Sequence, residues 1–276
     1  MTIWTRFLAL SLLVPAVACG GGGDGDDDDA TDDGDGGGSN IDGGGGGGDG
    51  ASPDGANNSD AGSTGNFSFF VTSLATMRSQ SGSQDGFGGN LGGLAGADQI
   101  CQNAAAAVGA GDKTWRAFLS TYNNGTPINA IDRIGNGPWY DKNGRLIAMN
   151  KAGLTSGNRP AGDAQTVSDL PDENGTPLTQ FGDTHDIMTA STTAGTFEGT
   201  SATNSCNDWT SSGAGTANTV RCGHSWPAQS GQHWIRAHQL RGCSPGVNTV
   251  QNGPGTGTSV GAGGGWGGIY CFALTP

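Results

Sequence analysis

The chain has 276 residues, 54 of them glycine, and a formal charge of −13 from 12 Lys+Arg against 25 Asp+Glu. Twelve of the acids are Asp24, Asp26 to Asp29, Asp32, Asp33, Asp35, Asp42, Asp49, Asp54 and Asp60, in a stretch without Lys or Arg, so residues 61–276 carry 13 acids and 11 bases. The acidity therefore belongs to one segment, and the remainder is close to neutral. A strongly basic face for nucleic acid is excluded.

Residues 1–18 read as an export signal. Arg6 supplies the positive charge, and Phe7 to Val14 form an apolar stretch too short to cross a bilayer of about 30 Å. Ala16-Val17-Ala18-Cys19 follows, and this small-residue site before a cysteine resembles the bacterial lipoprotein box. The resemblance implies cleavage before Cys19, lipidation of its sulfur and attachment to the cell envelope. Gly20 after the cysteine points to the outer membrane. Ordinary secretion after an A-x-A site is the alternative.

Residues 19–66 comprise the cysteine and a spacer of Gly, Asp, Asn and Ser. Such a composition cannot bury enough apolar surface to offset ordering entropy. As a neutral coil it would span roughly 40 Å, and repulsion among the aspartates lengthens it. Asp24-Gly25-Asp26-Asp27-Asp28 alternates carboxylates as calcium loops do, but the closing glutamate and flanking helices of an EF-hand are missing. A solvated spacer with loose divalent-ion association is the reading.

Residues 67–276 are long enough for one domain with a core. Asn66 to Thr72 reads as a first strand. Leu94 to Val108 reads as the main helix, with Ile100, Cys101, Ala104, Ala105 and Val108 at helical spacing and Gly109 and Gly111 at its end. Trp115 to Ser120 is a short helix or strand. Gly, Asn, Thr and Ser dominate thereafter, so the predicted class is α+β, with short strands joined by long loops. Besides Cys19, the cysteines are Cys101, Cys206, Cys222, Cys243 and Cys271. Export permits disulfides, spacing alone does not choose the pairs, and the absence of a C-x-x-C pair argues against structural zinc.

Four stretches in order resemble the endostatin family, a branch of the C-type lectin-like fold: Gly93-Leu94-Ala95-Gly96-Ala97-Asp98-Gln99-Ile100-Cys101; Trp115-Arg116-Ala117-Phe118-Leu119-Ser120; Phe197-Glu198-Gly199 followed by Cys206-Asn207-Asp208-Trp209; and Ile269-Tyr270-Cys271-Phe272. Bacterial lipoprotein domains built on this pattern are similar too. The resemblance implies one main helix packed on short mixed or antiparallel strands, a Cys101–Cys271 bridge from helix to last strand, and a bridge from Cys206 to Cys243. The wide gap between Cys243 and Cys271 departs from the family and leaves Cys222 as a rival partner for Cys243. One thiol is then free.

The sugar-binding calcium tripeptides of lectins are absent, no histidine precedes His185 to serve endostatin's zinc, and an arginine-rich sulfate-binding face is not available. No metal and no cofactor are therefore expected. Gly257-Thr258-Ser259-Val260-Gly261 matches G-x-S-x-G, but neither acid nor histidine follows it. Asp183-Thr184-His185-Asp186 offers an acid–histidine pair with no nucleophile motif beside it. His233 and His238 stand five apart, a spacing that suits neither helical nor strand ligation. The expected role is accordingly non-catalytic binding of an extracellular protein or glycan. Trp139, Trp226 and Trp266, expected in exposed loops, and His224 are the contact candidates. The alternative is an envelope hydrolase or metal-dependent enzyme centred on His185, His224 and His233.

Overall fold

A computed structural model describes residues 65–213, 220–226, 231–250 and 257–276. The expected export signal, Cys19 and the spacer through residue 64 lie outside the described residues. Among the described residues no helix is long and apolar enough to cross a membrane.

The class is α+β. Strand β1 (Phe69–Val71) leads into helix α1 (Leu74–Ser81), α2 (Gly93–Ala107) and β2 (Trp115–Ala117). Short pieces follow: α3 (Ala130–Arg133), β3 (Trp139–Tyr140), β4 (Leu146–Ala148), α4 (Lys151–Thr155), α5 (Ala164–Ser168) and β5 (Asp186–Met188). The chain closes with β6 (Arg221–His224), β7 (His238–Gln239) and β8 (Gly268–Ala273). The main sheet runs β1-β8-β5-β6-β7, and β2 also pairs with β8. Strand β8 is the hub, antiparallel to β1 and β2 and parallel to β5.

Helix α2 forms where the apolar spacing predicts it, one residue earlier than Leu94. Ala97, Asp98, Ile100, Cys101, Ala104 and Ala105 are its buried residues, a stripe at helical period. Small alanines let β2 approach closely. Gly109 ends the helix at φ 82°, a left-handed conformation that costs glycine little. The predicted first strand contracts to Phe69–Val71, and Trp115 to Ser120 resolves into strand β2. Helix α1 is not foreseen by periodicity, although its caps are present in sequence: Ser73 Oγ accepts from Thr76 N at 3.1 Å, and Gly82 closes it at φ 68°.

Both expected bridges are present. Cys101–Cys271 ties α2 to β8 with Cα atoms 5.5 Å apart, and Cys206–Cys243 joins two loop segments at 5.8 Å. Cys222 is free and buried. Asp98, inside the first resembling stretch, accepts from Ala117 N at 2.9 Å, Arg116 Nη1 at 2.7 Å and Arg133 Nη2 at 2.7 Å, so that stretch is fastened to the second.

Aromatic rings fill the core. Phe272 meets Phe69 at 4.9 Å, Trp139 at 5.3 Å and Phe118 at 5.6 Å between centroids. Five indoles each donate Nε1–H to a backbone carbonyl: Trp115 to Ala110, Trp139 to Ala273, Trp209 to Ser120, Trp234 to Leu154 and Trp266 to Thr72. Each ring thus fills apolar space and satisfies a buried carbonyl of another segment. Trp139 and Trp266 were expected as exposed ligand contacts; at 0% and 1% exposure they are core residues instead. The rings are drawn inward to pack with buried aliphatic residues such as Leu119, Ile147, Leu154 and Ile269.

Cys206 to Trp209 make a left-handed turn, with φ of 49°, 56°, 55° and 63° at four consecutive non-glycine residues. That conformation costs roughly 1–2 kcal/mol per residue. Asp208 offsets part of it by accepting from Tyr122 N at 2.8 Å, Asn123 N at 3.0 Å and Ser205 Oγ at 2.8 Å, while the Cys206 bridge and the Trp209 indole hold the two ends.

Candidate functional site

The polar chemistry of the domain gathers at β5, β6 and β7. These strands pair antiparallel, with Asp186 opposite His224 and Cys222 opposite His238. Cross-strand partners point to the same face, and so do residues two apart on one strand. Asp186, Cys222, His224 and His238 therefore share a face by register alone. Gly223 between Cys222 and His224 is required by packing, since a Cβ there would lie 1.7 Å from Trp234 O. Backbone bonds from Asp186 N to Gly264 O at 2.8 Å and from Ala237 N to Cys222 O at 2.7 Å fix the frame.

His185, just before β5, completes the group. Its ring stacks on His224 at 4.4 Å with 12° between planes and meets His238 edge-on at 5.2 Å. Trp226 stands edge-on to His224 at 4.7 Å and to His185 at 5.7 Å. One ring nitrogen from each of His185, His224 and His238 lies within 4.8 Å of the other two, and a second group at the same spacing consists of Asp186, Cys222 and His238.

Asp186 is the floor of this cluster. Its carboxyl is fully buried, with Oδ1 at 3.2 Å from His238 Nε2, 3.6 Å from His185 Nε2 and 3.4 Å from Cys222 Sγ. Oδ2 has no hydrogen-bond partner among the described residues. It lies against Gly263, where a Cβ would come within 2.1 Å of it. Behind His185, Asp183 Oδ1 holds Nδ1 at 2.6 Å and turns Nε2 toward the centre.

Burial sets the charge state. It pushes the Asp186 carboxyl up to about 8, and Asp183 pushes the same way. Burial lowers His224 to about 3 and His238 to about 4, aided by the neighbouring His185. At neutral pH the His224 and His238 rings are therefore uncharged, and the Asp186–His238 contact at 3.2 Å joins neutral groups. Burial also raises the Cys222 thiol well above its ordinary value, so it stays a thiol and donates to Asp186 Oδ1. A protonated, enclosed sulfur is no nucleophile. Solvent reaches the cluster over His238, whose side chain is 38% exposed, and less over His185 at 14%.

The expected trio of His185, His224 and His233 does not form. His233 turns into backbone, its Nδ1 accepting from Ile235 N at 3.0 Å and its carbonyl accepting from His224 N at 3.2 Å. His238 takes the third place. The five-residue spacing that argued against His233 with His238 is irrelevant, because the partners of His238 come from other strands. Trp226 and His224, named from sequence as contact candidates, do lie in the cluster. His238, Asp186 and Cys222 were missed as site residues; the legible signals were the acid–histidine pair at Asp183 and His185 and the closely spaced His224 and Trp226. Comparison with protein-family models gives no match, and comparison with curated proteins finds no matching relative.

Proposed function

We propose that this chain is an exported, lipid-anchored protein that presents an endostatin-like domain of the C-type lectin-like class to bind a partner outside the membrane, with the His185–His224–His238 cluster as its recognition centre. The export reading rests on Arg6, the Phe7 to Val14 stretch and Cys19, and the fold reading on the four resembling stretches. The Cys101–Cys271 and Cys206–Cys243 pairs, which the resemblance implies, support it. The observation that carries binding over catalysis is the make-up of the cluster. The cluster of rings reaches solvent over His238, while the one thiol beside it, Cys222, is buried and donates to Asp186 Oδ1. Rings of that kind recognise an extracellular glycan or protein by stacking and hydrogen bonding.

The test uses the full chain carrying Cys19→Ser. It should leave the membrane fraction, and retention there refutes the anchor. Screened against immobilised glycans and matrix proteins, it should bind saturably, and Trp226→Ala should weaken binding. No binding to any of them counts against presentation as the role.

A second reading, metal-assisted hydrolysis, draws on the same convergence of His185 and His224, with His238 in place of His233. Turnover of ester or amide substrates by metal-loaded protein would favour it.

A further inference from the structure

We propose that His185, His224 and His238, with Asp186 Oδ1 as fourth donor, form a site for one divalent first-row transition cation of the zinc class. The inference deepens the reading of the cluster as the functional centre. One ring nitrogen from each histidine already lies within 4.8 Å of the others. A tetrahedral zinc with bonds of about 2.1 Å sets its donors roughly 3.4 Å apart, a contraction reached by tilting the stacked rings. Asp186 Oδ1, 3.2 Å from His238 Nε2 and 3.6 Å from His185 Nε2, already stands at about that spacing.

Three further observations support a cation. Asp183 grips His185 Nδ1 at 2.6 Å, the carboxylate–histidine arrangement that orients a ligating imidazole and raises its basicity. Asp186 is a fully buried carboxyl with one oxygen aimed at the rings and the other without a hydrogen-bond partner among the described residues. A buried acid so placed gives up its proton to solvent when a cation arrives, and the carboxylate then gains a partner. The donor set, three imidazoles and a carboxylate, favours zinc, copper, nickel or iron over calcium or magnesium, which take oxygen ligands. His238, at the solvent edge, gives an entry path.

The experiment titrates chelator-stripped full-length chain carrying Cys19→Ser with zinc, followed by calorimetry, and repeats the titration with cobalt(II), followed by absorption. One equivalent of zinc should bind and persist in excess calcium, which separates the site from the aspartate-rich spacer. His224→Ala and His238→Gln should each weaken affinity at least tenfold, and Asp183→Asn, which alters only the orienting carboxylate, by 10–100-fold. His238→Gln sits on the exposed edge and keeps the test sharp should His224→Ala fail to fold. Cobalt should give the visible bands of a tetrahedral nitrogen and oxygen site. No saturable zinc binding at micromolar concentration, or binding unchanged in His238→Gln, overturns the proposal. A thiolate-to-cobalt charge-transfer band overturns the three-histidine assignment in favour of Asp186, Cys222 and His238. Zinc binding without any polymer or protein binding leaves this site standing and removes the recognition role.

Discussion

The two sides of the main sheet are built by different means. On the β1–β8–β2 side, alanines of α2 pack against strands, phenylalanine rings interlock, and Cys101–Cys271 bolts helix to hub. On the β5–β6–β7 side, strands of two to four residues carry an acid, a thiol and two imidazoles on one face. The first side stabilises itself, whereas the second carries buried polar groups that cost free energy. The contrast teaches where stability is generated and where it is spent, the usual division between scaffold and site.

A few substitutions can break or sharpen that contrast. Removing Cys101–Cys271 by paired serines should cost the most, about 5 kcal/mol for a bridge closing 170 residues, against about 4 kcal/mol for Cys206–Cys243 closing 37. Thermal unfolding followed by circular dichroism gives the order, and equal losses would erase the hub's privilege. Next, Trp139→Ala should cost about 3–5 kcal/mol by emptying a fully buried volume, and Asp98→Ala a similar amount by leaving the largely buried Arg133 side chain without its carboxylate. Gly263→Ala should cost about 1–3 kcal/mol, because the added methyl must displace Asp186 Oδ2. Its signature is a zinc affinity that falls further than the melting temperature does.

The smallest effect concerns pH. Glu198 pairs with Arg221 at 2.6 Å and Arg236 at 2.7 Å. Burial alone would raise its pKa, but the hydrogen bonds from Arg236 and then Arg221 outweigh it and hold the carboxyl below its ordinary 4.5. A depressed acid contributes stability above its unfolded value and loses it as pH falls through the folded one. Glu198→Gln should therefore melt slightly below wild type at pH 7, with the gap closing in acid. A gap that widens on acidification reverses the sign and the assignment.

Legibility in the sequence followed the same division. Helix α2 was readable because Ile100, Cys101, Ala104 and Ala105 repeat at a helical period, and the Cys101–Cys271 bridge because both cysteines stand in resembling stretches, whereas Cys243 stands in none and its partner stayed open between Cys206 and Cys222. Strands β5 to β7 were not, since two to four residues carry no periodicity that separates strand from loop. The site was half-visible for a related reason. Asp183 and His185 are close in sequence, so their pairing showed. His238 joins His224 only through the antiparallel register of β6 and β7, a long-range fact with no local trace. Trp139 and Trp266 misled for the opposite reason, because glycine-rich surroundings suggest surface although both rings are buried in the core.

The five indole–carbonyl latches carry a consequence for how such a domain tolerates change. They fasten the chain at discrete points, at residues 115, 139, 209, 234 and 266, and between them core residues such as Phe118, Ile147, Leu170, Ile187 and Leu240 alternate with exposed loops such as residues 123–128. Doubling the length of a connecting loop costs only about 0.6 kcal/mol in closure entropy. Insertions in exposed loops between latches, such as residues 123–128, should be absorbed, whereas a shift of one residue at a latch should not. An architecture riveted at a few points leaves its exposed connecting loops open to variation.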